Sequence, residues 1–145
     1  MARPGHAEGF REVVVYQKAR EVARRIYEVT RSFPSQETFS LTDQVRRSSR
    51  AVGAQIAEAW AKRRYTKHFV SKLTDADGEQ RETQHWVEVA QDCGYLASGD
   101  AEDIVRRLSE IGRMLNSMMD KADLFCGRGS DGVRESAPEY FLGQL

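Results

Sequence analysis

The residues of this chain that could do chemistry are few and poorly spaced for it. Glu82-Thr83-Gln84-His85 is a Glu-x-x-His pair, the i, i+3 ligand set with which helix bundles hold two iron or manganese ions. Such a centre needs a second copy and two more inward carboxylates. His6 and His68 have no glutamate three positions before them, so the second copy is missing. Cys93 and Cys126 lie far apart with no C-x-x-C spacing, and with the histidines they do not converge on one helical face. Reduced thiols, no metal and no cofactor are expected. No nucleophile, phosphate loop or second titratable group accompanies the carboxylates between Asp75 and Gln84, so the sequence does not read as an enzyme.

Three other groupings invite a binding role. Lys62-Arg63-Arg64-Tyr65-Thr66-Lys67-His68 is the densest basic cluster; Lys62, Arg63, Arg64 and Lys67, joined by Arg11, are candidates for holding phosphates of RNA or DNA weakly and without sequence preference. Arg3, Lys72, Lys121 and Arg128 could join the same end; a merely solvated helix junction is the competing reading. Gln80 and Thr83 fall on an otherwise apolar seam. Buried polar groups need partners, and Gln55 and Glu58 are the expected ones, across helices or across a subunit boundary. Tyr16, Tyr27, Trp60 and Trp86 are large residues beyond the core stripes, which makes them candidate anchors of an oligomer interface.

All of these must be positioned by helices. Val15, Ala19, Val22, Ile26, Val29 and Phe33 alternate by four and three, which predicts a helix over about 12–32 that Pro34 stops. Leu41, Val45, Ser48, Val52, Ile56 and Ala59 continue the pattern over about 41–63, with Ser40 as the expected cap. A third seam, from Phe69 through Leu73, Ala76, Gln80, Thr83 and Val87 to Ala90, follows a cap at Thr66 and is expected to reach about Leu96. The fourth runs from Ile104 through Leu108, Ile111, Leu115 and Met118 to Ala122 and Phe125, ended by Gly127. Four stripes on short connections predict an all-α, antiparallel up-down-up-down four-helix bundle over 10–126, with flexible ends at 1–9 and 127–145. Val22, Ile26, Val52, Ile56, Leu73, Val87, Leu108, Ile111 and Leu115 should form its core. The triplet Tyr140-Phe141-Leu142 interrupts the polar tail as a segment that could dock on its own bundle or on a neighbour.

Charge is divided along the chain. The 145 residues carry no net formal charge, yet Met1–Lys72 has 15 Lys/Arg against 7 Asp/Glu, and the remainder the reverse. Pairing between the two halves is expected, with Arg46, Arg47 and Arg50 reaching Asp92, Asp100, Glu102 and Asp103. The balance argues against a generic nucleic-acid-coating polycation. No apolar run approaches the length of a membrane span, so a cytoplasmic protein with no membrane partner is expected.

The order of Tyr16-Gln17-Lys18-Ala19, Ile26-Tyr27, Phe33-Pro34, Phe39-Ser40-Leu41-Thr42-Asp43-Gln44-Val45-Arg46-Arg47, Gln55-Ile56-Ala57-Glu58 and Gly94-Tyr95-Leu96 resembles the bacterial four-helix-bundle proteins encoded in 23S rRNA intervening sequences. That resemblance covers about 10–125. It implies a ring-shaped homopentamer without established enzymatic activity, similar in fold to the nucleic-acid-binding accessory proteins of diversity-generating retroelements. Gly53, Gln55, Ala59-Trp60, Ser40 and Gln80 depart from the usual pattern. Two readings follow: an oligomeric scaffold or accessory protein with a nucleic-acid-binding basic end, or a module that binds only protein.

Overall fold

The fold is described from a computed structural model covering residues 9–127. The expected terminal segments, Tyr140-Phe141-Leu142 included, lie almost wholly outside these residues. Four helices follow one another: α1 (Val14–Thr30), α2 (Leu41–Ala61), α3 (Thr66–Asp92) and α4 (Ser98–Asp120). Single 3-10 turns at Phe10–Glu12, Ser35–Glu37 and Ala122–Leu124 trim the connections. No strand occurs among the described residues.

Partner residues run in opposite order wherever two helices meet, so neighbours are antiparallel. Tyr16 lies beside Gly53 while Arg46 reaches Thr30. Lys72 meets Gln55 while Thr83 meets Ser48. Asn116 approaches Asp77 while Gln84 approaches Ser109, and Lys18–Glu110 with Arg25–Asp100 closes α4 onto α1. This is the up-down-up-down bundle that the four stripes require.

The stripes themselves are the core. Every residue of the α3 and α4 seams is buried, and the nine expected core side chains are each at most 1% exposed. On α1 the seam holds from Val15 to Ile26 and then shifts: Thr30 is buried while Val29 and Phe33 are only partly covered. The cause is local. Thr30 turns its hydroxyl back onto the Ile26 carbonyl at 2.7 Å, which satisfies the one polar atom that its burial would strand.

Helix α4 gives way at Asp120 to the 3-10 turn, short of the expected stop at Gly127, and Tyr65 rather than Thr66 is the residue that precedes α3; two further helix ends differ from the sequence reading for identifiable reasons. Helix α3 stops at Asp92 rather than near Leu96, because Gly94 takes φ 77° and the chain closes a Schellman motif. Tyr95 N–H donates to the Ala90 carbonyl at 3.0 Å and Gly94 N–H to that of Gln91 at 2.9 Å. Ser40 precedes α2 but does not cap it with its side chain. Its hydroxyl instead donates to Glu37 Oε1 at 2.6 Å, and Tyr95 donates to the other oxygen of that carboxylate at 3.0 Å. The α1–α2 and α3–α4 connections are thereby clasped at one end of the bundle.

Candidate functional site

The basic cluster sits at the other end, where α2 passes into α3. Antiparallel packing brings the start of α1 there, and Gly127 N–H donates to the Arg63 carbonyl at 2.9 Å, so the end of α4 is there too. Lys62, Arg64 and Lys67 are exposed, as is Arg11, whose guanidinium carbon lies 4.5 Å from the Phe10 ring centroid. None of these four has a carboxylate within ion-pair distance among the described residues.

Arg63 does not belong with them. Its Nε donates to the Trp60 carbonyl at 2.9 Å, and its guanidinium lies over the Trp60 ring at 3.9 Å. Burial pulls its pKa below the ordinary arginine value. A side chain tied down in this way covers the core and is not free to grip phosphate. Lys72 is withdrawn as well, since it reaches Gln55 Oε1 at 3.3 Å and Glu58 at 3.5 Å. Arg3 and Arg128 lie outside the described residues.

Trp60 lies beneath Arg63. It is 6% exposed and edge-on to Phe125 at 6.2 Å, so within the subunit it packs into the core. Its helical position put it at a seam edge, and Arg63 together with Phe125 of the chain after α4 covers it. Trp86 stays partly exposed, donating its ring N–H to Glu82 at 3.0 Å. Glu82 also accepts from Arg47, and these two bonds hold its carboxyl below the ordinary range, with the Trp86 bond the larger influence. His85 packs edge-on against Trp86 at 4.7 Å. The Glu-x-x-His pair is therefore engaged in surface contacts. Among the described residues no group of three or more His, Cys, Asp or Glu could hold a metal ion.

The expected polar network forms between other partners. Thr83 Oγ1 donates to Ser48 Oγ at 2.9 Å, while Gln80 Nε2 donates to Asp77 Oδ1 at 2.9 Å and Gln80 Oε1 accepts from Gln84 at 2.8 Å. Gln55 and Glu58 meet Lys72 instead. Register is the reason: Lys72 lies eleven residues before Thr83, about 16 Å along α3, so the residues of α2 facing the two cannot be the same. Charge pairing is similarly redistributed. Arg47 joins Glu79 and Glu82, Arg25 takes Asp100, and Asp103 binds Arg106 and Arg107. Arg46 and Arg50 lie 4.8 and 5.9 Å from the centre of the Tyr27 ring.

Tyr16 and Tyr27 wall a groove that the sequence did not announce. It runs between α1 and α2, encloses about 640 Å³, and has a floor of Ala19, Ala23, Gly53, Ala54 and Ala57. Arg20, Arg24 and Arg50 rim it. Its lining recurs at spacings of three and four along both helices, but Ala23, Gly53, Ala54 and Ala57 stand outside the large-residue core stripes, which is why it was missed. Phe39, 95% exposed ahead of α2, was missed for the same reason: it stands outside every stripe.

No helix among the described residues is long and apolar enough to cross a membrane. A comparison with curated proteins found no match. Among solved structures, a protein of unknown function from Bacteroides thetaiotaomicron, assigned to the S23 ribosomal protein family, superposes with a TM-score of 0.67 at 31% identity. The match covers 73% of this chain and 98% of that one, so the likeness spans the bundle. The family described as 23S rRNA-intervening sequence protein matches residues 11–117, from the first turn before α1 almost to the end of α4. The fold, the structural neighbour and this match agree, and the chain belongs to the 23S rRNA-intervening sequence protein family.

Proposed function

We propose that this chain is a non-enzymatic, cytoplasmic scaffold or accessory protein that works as a homo-oligomer, a pentamer by family resemblance, and contacts RNA or DNA backbone through its basic end. The observation that carries the reading is a contrast among cations. Lys18, Arg25, Arg47 and Lys72 each have a carboxylate partner, whereas Lys62, Arg64, Lys67 and Arg11 stand exposed together at one end with none among the described residues, as Arg20, Arg24 and Arg50 do along the α1–α2 groove. Unneutralised cations at one end of a subunit, repeated around a ring, favour phosphate through counterion release. The reading needs no cofactor. Trp86 and Phe39 offer apolar surface for the subunit contact.

The test is an electrophoretic shift in low salt, with Lys62→Glu, Arg64→Glu and Lys67→Glu combined and Arg63 left in place to protect the fold. Binding by the wild type, lost in the variant and weakened by salt, is the expected result. If neither binds, or both bind alike, the basic end is a solvated surface. The protein-binding module then becomes the better reading, and the 95% exposed Phe39 is the observation in its favour. Light scattering tests the assembly: a concentration-independent monomer would remove the ring and its multiplied charge.

A further inference from the structure

The α1–α2 groove is built to receive something that is both apolar and acidic. Its floor is made of side chains no longer than a methyl group, and Tyr16 and Tyr27 stand at its sides. A Cβ added at Gly53 would meet Tyr16 at 3.6 Å, an ordinary van der Waals contact, so the Tyr16 ring packs over that part of the floor and the accessible part lies along Ala23, Ala54 and Ala57. Arg20, Arg24 and Arg50 on its rim have no carboxylate within ion-pair distance among the described residues, although Glu28 also lines the groove. An apolar trough edged by guanidinium groups suits carboxylates flanking aromatic and aliphatic side chains.

The chain carries such a segment beyond the described residues. Glu135-Ser136-Ala137-Pro138-Glu139-Tyr140-Phe141-Leu142 has two carboxylates, no lysine or arginine, and an apolar triplet. Its reach is sufficient. The described chain ends at Gly127, fastened to Arg63, which lies six residues past Ala57 on the α2 side of the groove, about 9 Å along the chain. Ala57 to Ser49 adds about 12 Å of groove. Residues 128–138 can extend about 36 Å. We propose that the α1–α2 groove is the seat of the chain's own Glu139-Tyr140-Phe141-Leu142 segment, with Glu139 at the arginine rim and the triplet on the alanine floor. This docking is independent of nucleic-acid binding at the basic end.

The experiment uses the full chain with the photoreactive p-benzoylphenylalanine in place of Phe141. Irradiation should join position 141 to α1 or α2 peptides that contain Ala23 or Ala54. A mixture of light- and heavy-isotope protein should give adducts within a single isotope only. Glu139→Lys should lower the yield roughly threefold, the modest effect of a rim-exposed pair, and Arg20→Glu with Arg24→Glu should restore it in that background. Arg20 and Arg24 are exposed, so helix content by circular dichroism should be unchanged. Adducts elsewhere on the bundle, adducts that mix isotopes and so place a second copy in the groove, or a yield indifferent to both charge changes would each overturn the proposal.

Discussion

Gly112 of α4 lies directly against Gln80 of α3, so close that a Cβ at Gly112 would stand 2.6 Å from Gln80 Nε2 and 3.2 Å from Asp77 Oδ1. Gln80 cannot swing aside freely. It is 3% exposed and hydrogen-bonded to both Asp77 and Gln84. Gly112→Ala should therefore lose stability despite the better helix propensity of alanine, since a broken buried hydrogen bond costs about 1–3 kcal/mol against a propensity gain of about 1 kcal/mol. Gly53→Ala should go the other way, gaining about 0.5–1 kcal/mol, because its Cβ meets Tyr16 only at 3.6 Å. Urea melts of the two variants check the opposite signs.

The buried hydroxyl pair of α2 and α3 should behave as a unit. Thr83 is fully buried with its Oγ1 2.9 Å from Ser48 Oγ and 2.8 Å from the Glu79 carbonyl. Thr83→Val keeps the shape and leaves Ser48 with only its long 3.4 Å bond to the Val45 carbonyl, so a loss of about 1 kcal/mol is expected. Adding Ser48→Ala should recover much of it. A double-mutant cycle without coupling would show that the two hydroxyls do not depend on each other.

Acid and base should both loosen the end of the bundle clasped by Glu37. Hydrogen bonds from Ser40, the larger influence, and from Tyr95 hold the Glu37 carboxyl below its ordinary value, and Glu37 in turn raises the Tyr95 phenol. A lowered carboxylate pKa stabilises the fold above the unfolded value, and that contribution is lost as pH falls through the lowered one. A raised phenol pKa stabilises below the ordinary tyrosine value and is lost as pH rises through the raised one. In Tyr95→Phe, the Glu37 carboxyl midpoint followed by NMR should move up toward the ordinary range, yet stay short of it while Ser40 remains. No movement would contradict the clasp.

Neighbouring arginines should prove unequal. Arg63→Ala removes the stacking on Trp60 and the bond to its carbonyl, and should cost about 1–2 kcal/mol. Arg64→Ala, at an exposed position, should stay within about 0.5 kcal/mol. Equal melting temperatures for the two variants would show that Arg63 is not part of the core cover.

The four stripes were legible because an α-helix repeats every 3.6 residues, and a side chain's place on that cycle decides whether it faces inward. The seam residues from Phe69 to Ala90 and from Ile104 to Phe125 were placed from spacing alone, and each is buried. The end of α3 was not legible, since periodicity carries the expected helix to about Leu96, past the positive-φ Gly94 that closes it. What periodicity cannot carry is the relation between one helix and the next. Which residue of α2 faces Thr83, how α1 and α2 leave a trough over their alanines, and whether Trp60 lies at an edge or beneath Phe125 depend on register and on where the connections return the chain. The basic end shows both sides of this. Its charges were plain in the sequence, but Lys62, Arg64 and Lys67 were left to solvent while Arg63 was drawn over Trp60, because the indole face offered that guanidinium a better neighbour than water.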